Sequence, residues 1–209
     1  MSGPDASDTS IAEGLFGALP LIDEAASARL RSRLAEAASR NGLLDVAYRE
    51  VATPVGSLLL AATEQGLVRV AYESQDHDRV LALLADTVSP RILRAPARLD
   101  EVARQLDEYF GGHRRRFDVP LDFRLAHGFR RSVLTYLPDI GFGDTESYAQ
   151  VAAAAGSPRA VRAVGTACAL NPLPVVVPCH RVIRSDGSLG RYAGGAAAKQ
   201  ILLQLEGAA

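Results

Sequence analysis

The chain has 209 residues, a formal net charge of −1, 48% apolar residues and two cysteines. That length suits one large or two small domains with a real core, and no apolar run approaches the roughly 20 residues of a membrane span. Early acids (Asp5, Asp8, Glu13, Asp23, Glu24) argue against a secretory or transit segment, and two cysteines without CxxC spacing argue against a disulfide framework or a structural zinc site. Reduced thiols in a cytoplasmic protein are the expectation. Charge is uneven: residues 145–209 carry six basic and three acidic groups, the remainder 17 and 21, which hints at an anionic partner for the carboxy-terminal part.

In chain order, residues 1–15 are small, polar and acidic, a composition of disordered chain. Residues 22–40 predict a helix lying on the protein's own surface through a stripe spaced by four, Ala26, Leu30, Leu34 and Ala38, and ended by Asn41-Gly42. Three strands follow, "LDVAYREVATP", "GSLLLAAT" and "GLVRVAYE", linked by turns at Thr53-Pro54-Val55-Gly56 and Glu64-Gln65-Gly66, which predicts an antiparallel meander. Residues 76–86 and 99–110 read as helices. "GGHRRRFDVPLDF" then reads as a linker, with Arg114-Arg115-Arg116 as a solvated loop or a phosphate patch.

The last third reads as mostly helical. Residues 128–137 predict one helix, and "TESYAQVAAAAG" a second capped by Thr145 or Ser147. Gly156-Ser157-Pro158 predicts a tight turn with Ser157 as N-cap and Pro158 as the first residue of a third helix, ended by Asn171-Pro172. Helix, short glycine turn, helix is a helix-turn-helix pattern. At 100° per residue Val161, Val164 and Cys168 share one side of the third helix, and Arg159, Arg162 and Thr166 nearly the opposite one. Cys168 then reads as a core thiol, and the arginines either as solvated or as facing a partner.

The expected fold is α+β. An extension (1–44) precedes an amino-terminal α/β domain (45–124) with a small three-stranded antiparallel sheet. A mostly helical, winged-helix-like domain (125–209) carries the helix-turn-helix.

The stretch "VVVPCHRV" (175–182) reads as a buried strand that ends at Pro178 and presents Cys179 beside His180. A free thiol, with pKa about 8.5, needs help to ionise near neutrality. Adjacent side chains on a strand face opposite ways, so a thiol and imidazole acting together need a turn or a bridging water. The dipeptide alone fits equally a core cysteine beside a surface histidine.

The flanks decide between these. "NPLPVVVPCHRV", with "RAVGTA" upstream and "GSLGRYAGGAAAKQILLQLEG" downstream, closely resembles the O6-alkylguanine-DNA alkyltransferases, and the similarity extends from about Asp45 to Gly207 through "TPVGSLLLAATEQGLVRVAY", "LDEVARQLDEYFGG" and "GFGDTESYAQVAAAAGSP". The resemblance implies single-turnover repair. Cys179 would take the alkyl group from guanine O6, or thymine O4, after the base is flipped from the minor groove. His180 would act through a water as general base, oriented by Glu206. Asn171 would hold the turn, and Tyr148 would donate a proton to the leaving purine. Arg162 would fill the gap in the duplex, with Arg159, Ala163, Thr166 and Ser147 along the DNA. Tyr192, Ala193, Val182 and Gly190 would form the base pocket.

The implied partner is double-stranded DNA containing O6-alkylguanine, with no membrane, no cofactor, and a monomer in solution. The chain departs from the family pattern at Leu134, where tryptophan is common, at Arg191, which could touch phosphate or narrow the pocket, and at Ala193, where some members have serine. The amino-terminal metal ligands of some relatives are missing. A non-catalytic lesion binder would lack Cys179, a dedicated regulator would carry an effector module, and a thiol protease would draw its base from distant sequence.

Overall fold

A computed structural model describes residues 23–208, so the expectation for residues 1–15 lies outside the described part. The first helix, α1 (Glu24–Arg40), is capped by the Asp23 side chain. It lies against the protein only through its final turns, where Ala35 and Ala38 pack with Leu44, Ala47 and Ala95. Leu30 and Leu34 of the expected stripe are 59% and 56% exposed. The reason is geometric: a repeat of four advances 400° on a helix of 100° per residue, so the stripe spirals away and only its last member meets the sheet.

Strands β1 (Val46–Thr53), β2 (Gly56–Thr63) and β3 (Gly66–Tyr72) form the expected meander. The sheet has four strands, however, in the order β3-β2-β1-β4. After helix α2 (His77–Thr87), β4 (Ile92–Arg94) pairs parallel to β1 with Val46 opposite Ile92. Three residues between Pro90 and Pro96 are too few to show alternation, so this edge strand left no pattern in the sequence. Helix α3 (Asp100–Phe110) covers one face of the sheet with Val102, Leu106 and Tyr109.

The linker is part of the fold. It runs along the β3 edge, where Leu67 N–H donates to Pro120 O at 2.8 Å and Asp122 N–H to Leu67 O at 2.8 Å. A side chain at Gly66 would collide with the Pro120 carbonyl, so this close approach requires glycine.

The second domain starts with α4 (Gly128–Tyr136). The two-residue strand β5 (Glu146–Ser147) pairs parallel with β6 (Val182–Ile183). Helix α5 (Tyr148–Ala154) begins in a capping box, Ser147 with Gln150. Helix α6 (Val161–Ala169) follows, three residues later than the expected start, with Ala160 as a cap that has no side-chain bond. The shift arises because Gly156-Ser157 finishes the previous helix. Gly156, at φ +77°, and Ser157 donate to Ala153 O at 3.0 Å and Ala152 O at 2.9 Å, which is the Schellman arrangement. Helix α7 (Gly195–Glu206) closes the chain, with Gly207 left-handed after it.

Both domains share one continuous core, reaching from Leu58 and Leu60 of β2 through Leu134 and Leu137 to Val177 and Leu202. No helix among the described residues is long and apolar enough to cross a membrane.

Candidate active site

The run Val175–Val177 is a buried turn and not a strand. Pro172, Pro174 and Pro178 each lack the N–H a ladder needs, so the chain bonds to itself. Val177 N–H donates to Leu173 O and Cys179 N–H to Val177 O, both at 2.8 Å. Pro178 sits at φ −81°, ψ 60°, an inverse γ-turn, and Cys179–Arg181 then make one turn of 3-10 helix. Val175 is held at φ +71°, a strained backbone for a β-branched residue.

Asn171 ties the turn together. Its Nδ2 donates to Val177 O at 2.9 Å and to Cys179 Sγ at 3.1 Å, while its Oδ1 accepts from Leu173 N–H at 2.9 Å. All three bonds run between buried atoms, so they are not diluted by water.

Cys179 and His180 are both buried, His180 completely. Burial pushes the Cys179 thiol up to about 11, although the Asn171 bond and the Lys199 charge pull it back. Cys168 is driven up further by burial and by repulsion from Cys179, with only the Lys199 charge opposing. The two thiols are therefore unlike: Lys199 favours both anions, but only Cys179 also receives a side-chain hydrogen bond, from Asn171, that does so.

Glu206 is the hub of the polar network. Its carboxylate accepts from Tyr109 Oη at 2.6 Å, from Arg181 Nε and Nη2 at 2.9 Å each, and pairs with His180 Nε2 at 2.9 Å. Burial alone would raise its pKa, but the bonds from His180, Arg181 and Tyr109 win and hold it at about 2. Burial lowers His180 below its ordinary value despite Glu206. An ionised carboxylate only accepts, so Nε2 carries the proton and Nδ1 keeps its lone pair. Nδ1 is buried and has no protein partner among the described residues.

A cleft of about 480 Å³ opens along α6, lined by Tyr148, Arg162, Thr166, Arg184, Gly190 and Arg191 among others; Cys179, His180, Asn171 and Glu206 do not line it. The Tyr148 ring crosses between two glycines. A Cβ on Gly165 would sit 3.9 Å from the ring, and one on Gly190 would land on the hydroxyl itself. Burial, with the two thiols adding to it, raises the Tyr148 phenol to about 12, so it stays protonated at neutral pH.

The cleft unites Tyr148, Arg162, Thr166 and Gly190 but is not lined by Arg159, Ala163 or Ser147. Ala163 is exposed elsewhere on α6, whereas Arg159, expected on the same helix side as Arg162 and Thr166, is exposed in the turn before the helix begins, and the Ser147 hydroxyl is occupied in its cap, accepting from Gln150 N–H at 3.3 Å. Val164 and Cys168 pack inward as expected, whereas Val161 is 38% exposed on the cleft side.

Tyr192 is buried at 6.2 Å from the His180 ring, nearly perpendicular to it. Ala193 is half-buried against the core. The Val182 carbonyl already accepts from the buried Lys199 Nζ at 2.5 Å. Among the departures from the family pattern, Leu134 is core and Arg191 stands exposed at the cleft rim.

Sequence reasoning missed three groups. Tyr109 sits on the apolar stripe of α3 and looks like core, although a buried phenol needs a partner, and that signal was available. Arg181 and Lys199 counted as surface charge, yet both are buried. The exposed positive charge of residues 145–209 therefore comes from Arg159, Arg162, Arg184 and Arg191. Among the described residues no cluster of three or more His, Cys, Asp or Glu side chains could hold a metal.

Known proteins share this arrangement of sequence and fold. The profile of the 6-O-methylguanine DNA methyltransferase ribonuclease-like domain matches residues 46–123, and that of the DNA binding domain matches residues 128–208. A methylated-DNA–protein-cysteine methyltransferase of Methanosarcina barkeri is 38% identical over 159 residues, 76% of this chain and 96% of the relative. The constitutive one of Bacillus subtilis is 39% identical over 160 residues, 76% of this chain and 94% of the relative. The Mycobacterium tuberculosis O6-methylguanine methyltransferase structure is 36% identical with a TM-score of 0.69, covering 78% of this chain and 93% of that one. A Mycobacterium tuberculosis OGT in complex with DNA is 35% identical with a TM-score of 0.66, covering 77% and 92%. Likeness of this depth across both domains means that the chain belongs to the 6-O-methylguanine DNA methyltransferase family.

Proposed function

We propose that the protein repairs alkylated duplex DNA by moving the alkyl group from O6 of a flipped guanine onto Cys179, once per molecule. The observation that carries this is the pairing of a buried thiol, bonded to Asn171, with a buried histidine whose Nε2 is committed to Glu206 and whose Nδ1 is free to accept. With its pKa raised to about 11, the resting thiol is almost wholly protonated at neutral pH. It needs a base at the moment of reaction.

In the proposed step, a water between Cys179 and His180 relays the thiol proton to Nδ1. The sulfur attacks the alkyl carbon in line, an S–C bond forms, and the C–O bond breaks. Its electron pair goes to the purine, which Tyr148 protonates to give guanine. Glu206 stabilises the imidazolium that results, and Arg181 and Tyr109 keep Glu206 ionised. The product is a thioether, and no second thiol stands ready to reverse it, since Cys168 is walled into the core.

Arg162, Thr166 and the small residues around them form the surface offered to DNA. Arg162 has the reach to replace an extruded base, and the minor groove suits a search with little sequence preference. Ala163 on α6 and Arg159 in the turn before it are exposed as well. Tyr192, Ala193, Gly190 and the Val182 carbonyl would bound the base.

Duplex DNA carrying O6-methylguanine is incubated with the protein, and peptides are mapped by mass spectrometry. The expected result is a gain of about one CH₂ on the peptide holding Cys179, absent in Cys179→Ala. DNA binding with no mass gain, or a gain on Cys168, overturns the proposal.

A further inference from the structure

We propose that Tyr72, at the end of β3 in the amino-terminal domain, is a positioning residue that fixes the Tyr192 wall and so sets the size of alkyl group the site accepts. This rests on the alkyl-transfer reading above. Tyr72 is 3% exposed, and its hydroxyl lies 2.9 Å from that of Tyr192. The rings meet edge to face, with centroids 5.8 Å apart at 73°. No other hydrogen-bond partner of the Tyr192 hydroxyl occurs among the described residues. Tyr192 in turn stands perpendicular to His180, so a movement of the one ring changes the room beside the base.

The loop that bears Tyr192 has few restraints of its own. From Arg184 to Gly194 it has no helix or strand; its internal bonds lie in the Arg184–Ser188 turn, and the Tyr192 carbonyl accepts from Gly195 N–H at 3.1 Å. Tyr72 supplies what the loop lacks. It belongs to a paired strand, opposite Leu58 of β2, and its N–H donates to Gln75 at 3.1 Å. The backbone of Gly194 is pressed onto its ring, so that a Cβ there would lie 2.5 Å from the ring carbon Cζ. Two residues earlier, Val70 N–H donates to Pro172 O at 2.8 Å, holding the turn that carries Cys179. One strand thus braces both the reactive turn and the facing wall.

Without the Tyr72 hydroxyl, the Tyr192 hydroxyl has no partner in a buried place, and an unpaired buried donor favours rearrangement. A retreating wall harms a methyl group, which depends on close confinement for in-line attack. A benzyl group needs space and is harmed less.

Single-turnover rate constants are measured for wild type and Tyr72→Phe on two duplexes that differ only in carrying O6-methylguanine or O6-benzylguanine. The methyl rate is expected to fall about tenfold, the equivalent of about 1.4 kcal/mol, and the benzyl rate by less than about threefold. Tyr192→Phe should shift the ratio the same way, and the double variant no further, because both remove one shared bond. Gly194→Ala keeps both hydroxyls but pushes on the Tyr72 ring, and it too should shift the ratio, which preserves the test if Tyr72→Phe does not fold. An unchanged ratio, equal losses on both duplexes, or additive shifts in the double variant overturn the proposal. Failure of the underlying reading looks different: wild type then reacts with neither duplex.

Discussion

Replacing Glu206 by glutamine changes one oxygen for one NH₂ and keeps the volume, yet it should unsettle the molecule more than most surface truncations. In the native site the two carboxylate oxygens accept from Tyr109, His180 and Arg181. The amide has one acceptor, and its NH₂ would face donors. Arg181, only 6% exposed, would keep its charge without a counter-charge. Breaking a buried pair in this way costs about 3–5 kcal/mol. Titration leads to a similar figure. The carboxyl falls from its ordinary 4.5 to about 2 on folding, and at about 1.4 kcal/mol per unit this is about 3 kcal/mol.

The sign follows from the depressed value. Above the unfolded pKa the contribution is complete, and it is lost as pH falls from about 4.5 toward 2. His180 adds loss in the same direction. Its folded pKa is lowered from 6.5, chiefly by burial, so acid draws protons to the unfolded chain first below about 6.5. At neutral pH, Glu206→Gln should melt roughly 6–20 °C below wild type, taking about 2–4 °C per kcal/mol for a chain of this size. Urea unfolding between pH 6 and 3 should show wild type losing about 2 kcal/mol more than the variant, since at pH 3 the folded carboxylate is still ionised and the remainder is lost only nearer pH 2. Melting within about 3 °C of wild type, or stability curves that run parallel with pH, would refute the reasoning.

Arg162→Ala should slow repair of duplex DNA by more than tenfold while leaving the reaction with free O6-benzylguanine within about twofold, because only the duplex has a gap to fill; equal losses on both substrates would remove the assignment. Tyr148→Phe should lower the single-turnover rate by about 10²-fold, the low end of general acid catalysis, with DNA affinity unchanged. Gly190→Ala should be at least as damaging, since its methyl would occupy the place of the Tyr148 hydroxyl. Arg184→Ala with Arg191→Ala should reduce the slope of log affinity against log salt by about 2, as for two lost phosphate contacts; an unchanged slope would mean that neither guanidinium touches the backbone.

Much of this protein can be argued from local pattern. The meander shows in strands that alternate between turn residues, and the helix-turn-helix in two amphipathic stretches around Gly156. The α+β class and the family follow from motifs near Cys179 and their flanks. These features are legible because a few neighbouring residues determine them: period, cap, turn and motif are short-range properties.

What the line of residues could not convey depends on groups far apart meeting. The three residues of β4 are a strand only because β1 offers an edge. "VVVPCHRV" has strand composition but becomes a turn, since its prolines and Asn171 satisfy the backbone in another way. Arg181 and Lys199 are charges in composition and core in space, one paired with Glu206 and the other with a carbonyl. Tyr72 and Tyr109 stand in the amino-terminal domain among apolar neighbours; a phenol there signals that a partner is needed, but nothing nearby says which. Only folding brings their hydroxyls to Tyr192 and Glu206, 120 and 97 residues away. A buried polar group must find a partner, and which partner it finds is decided by tertiary contact and not by adjacency in the chain.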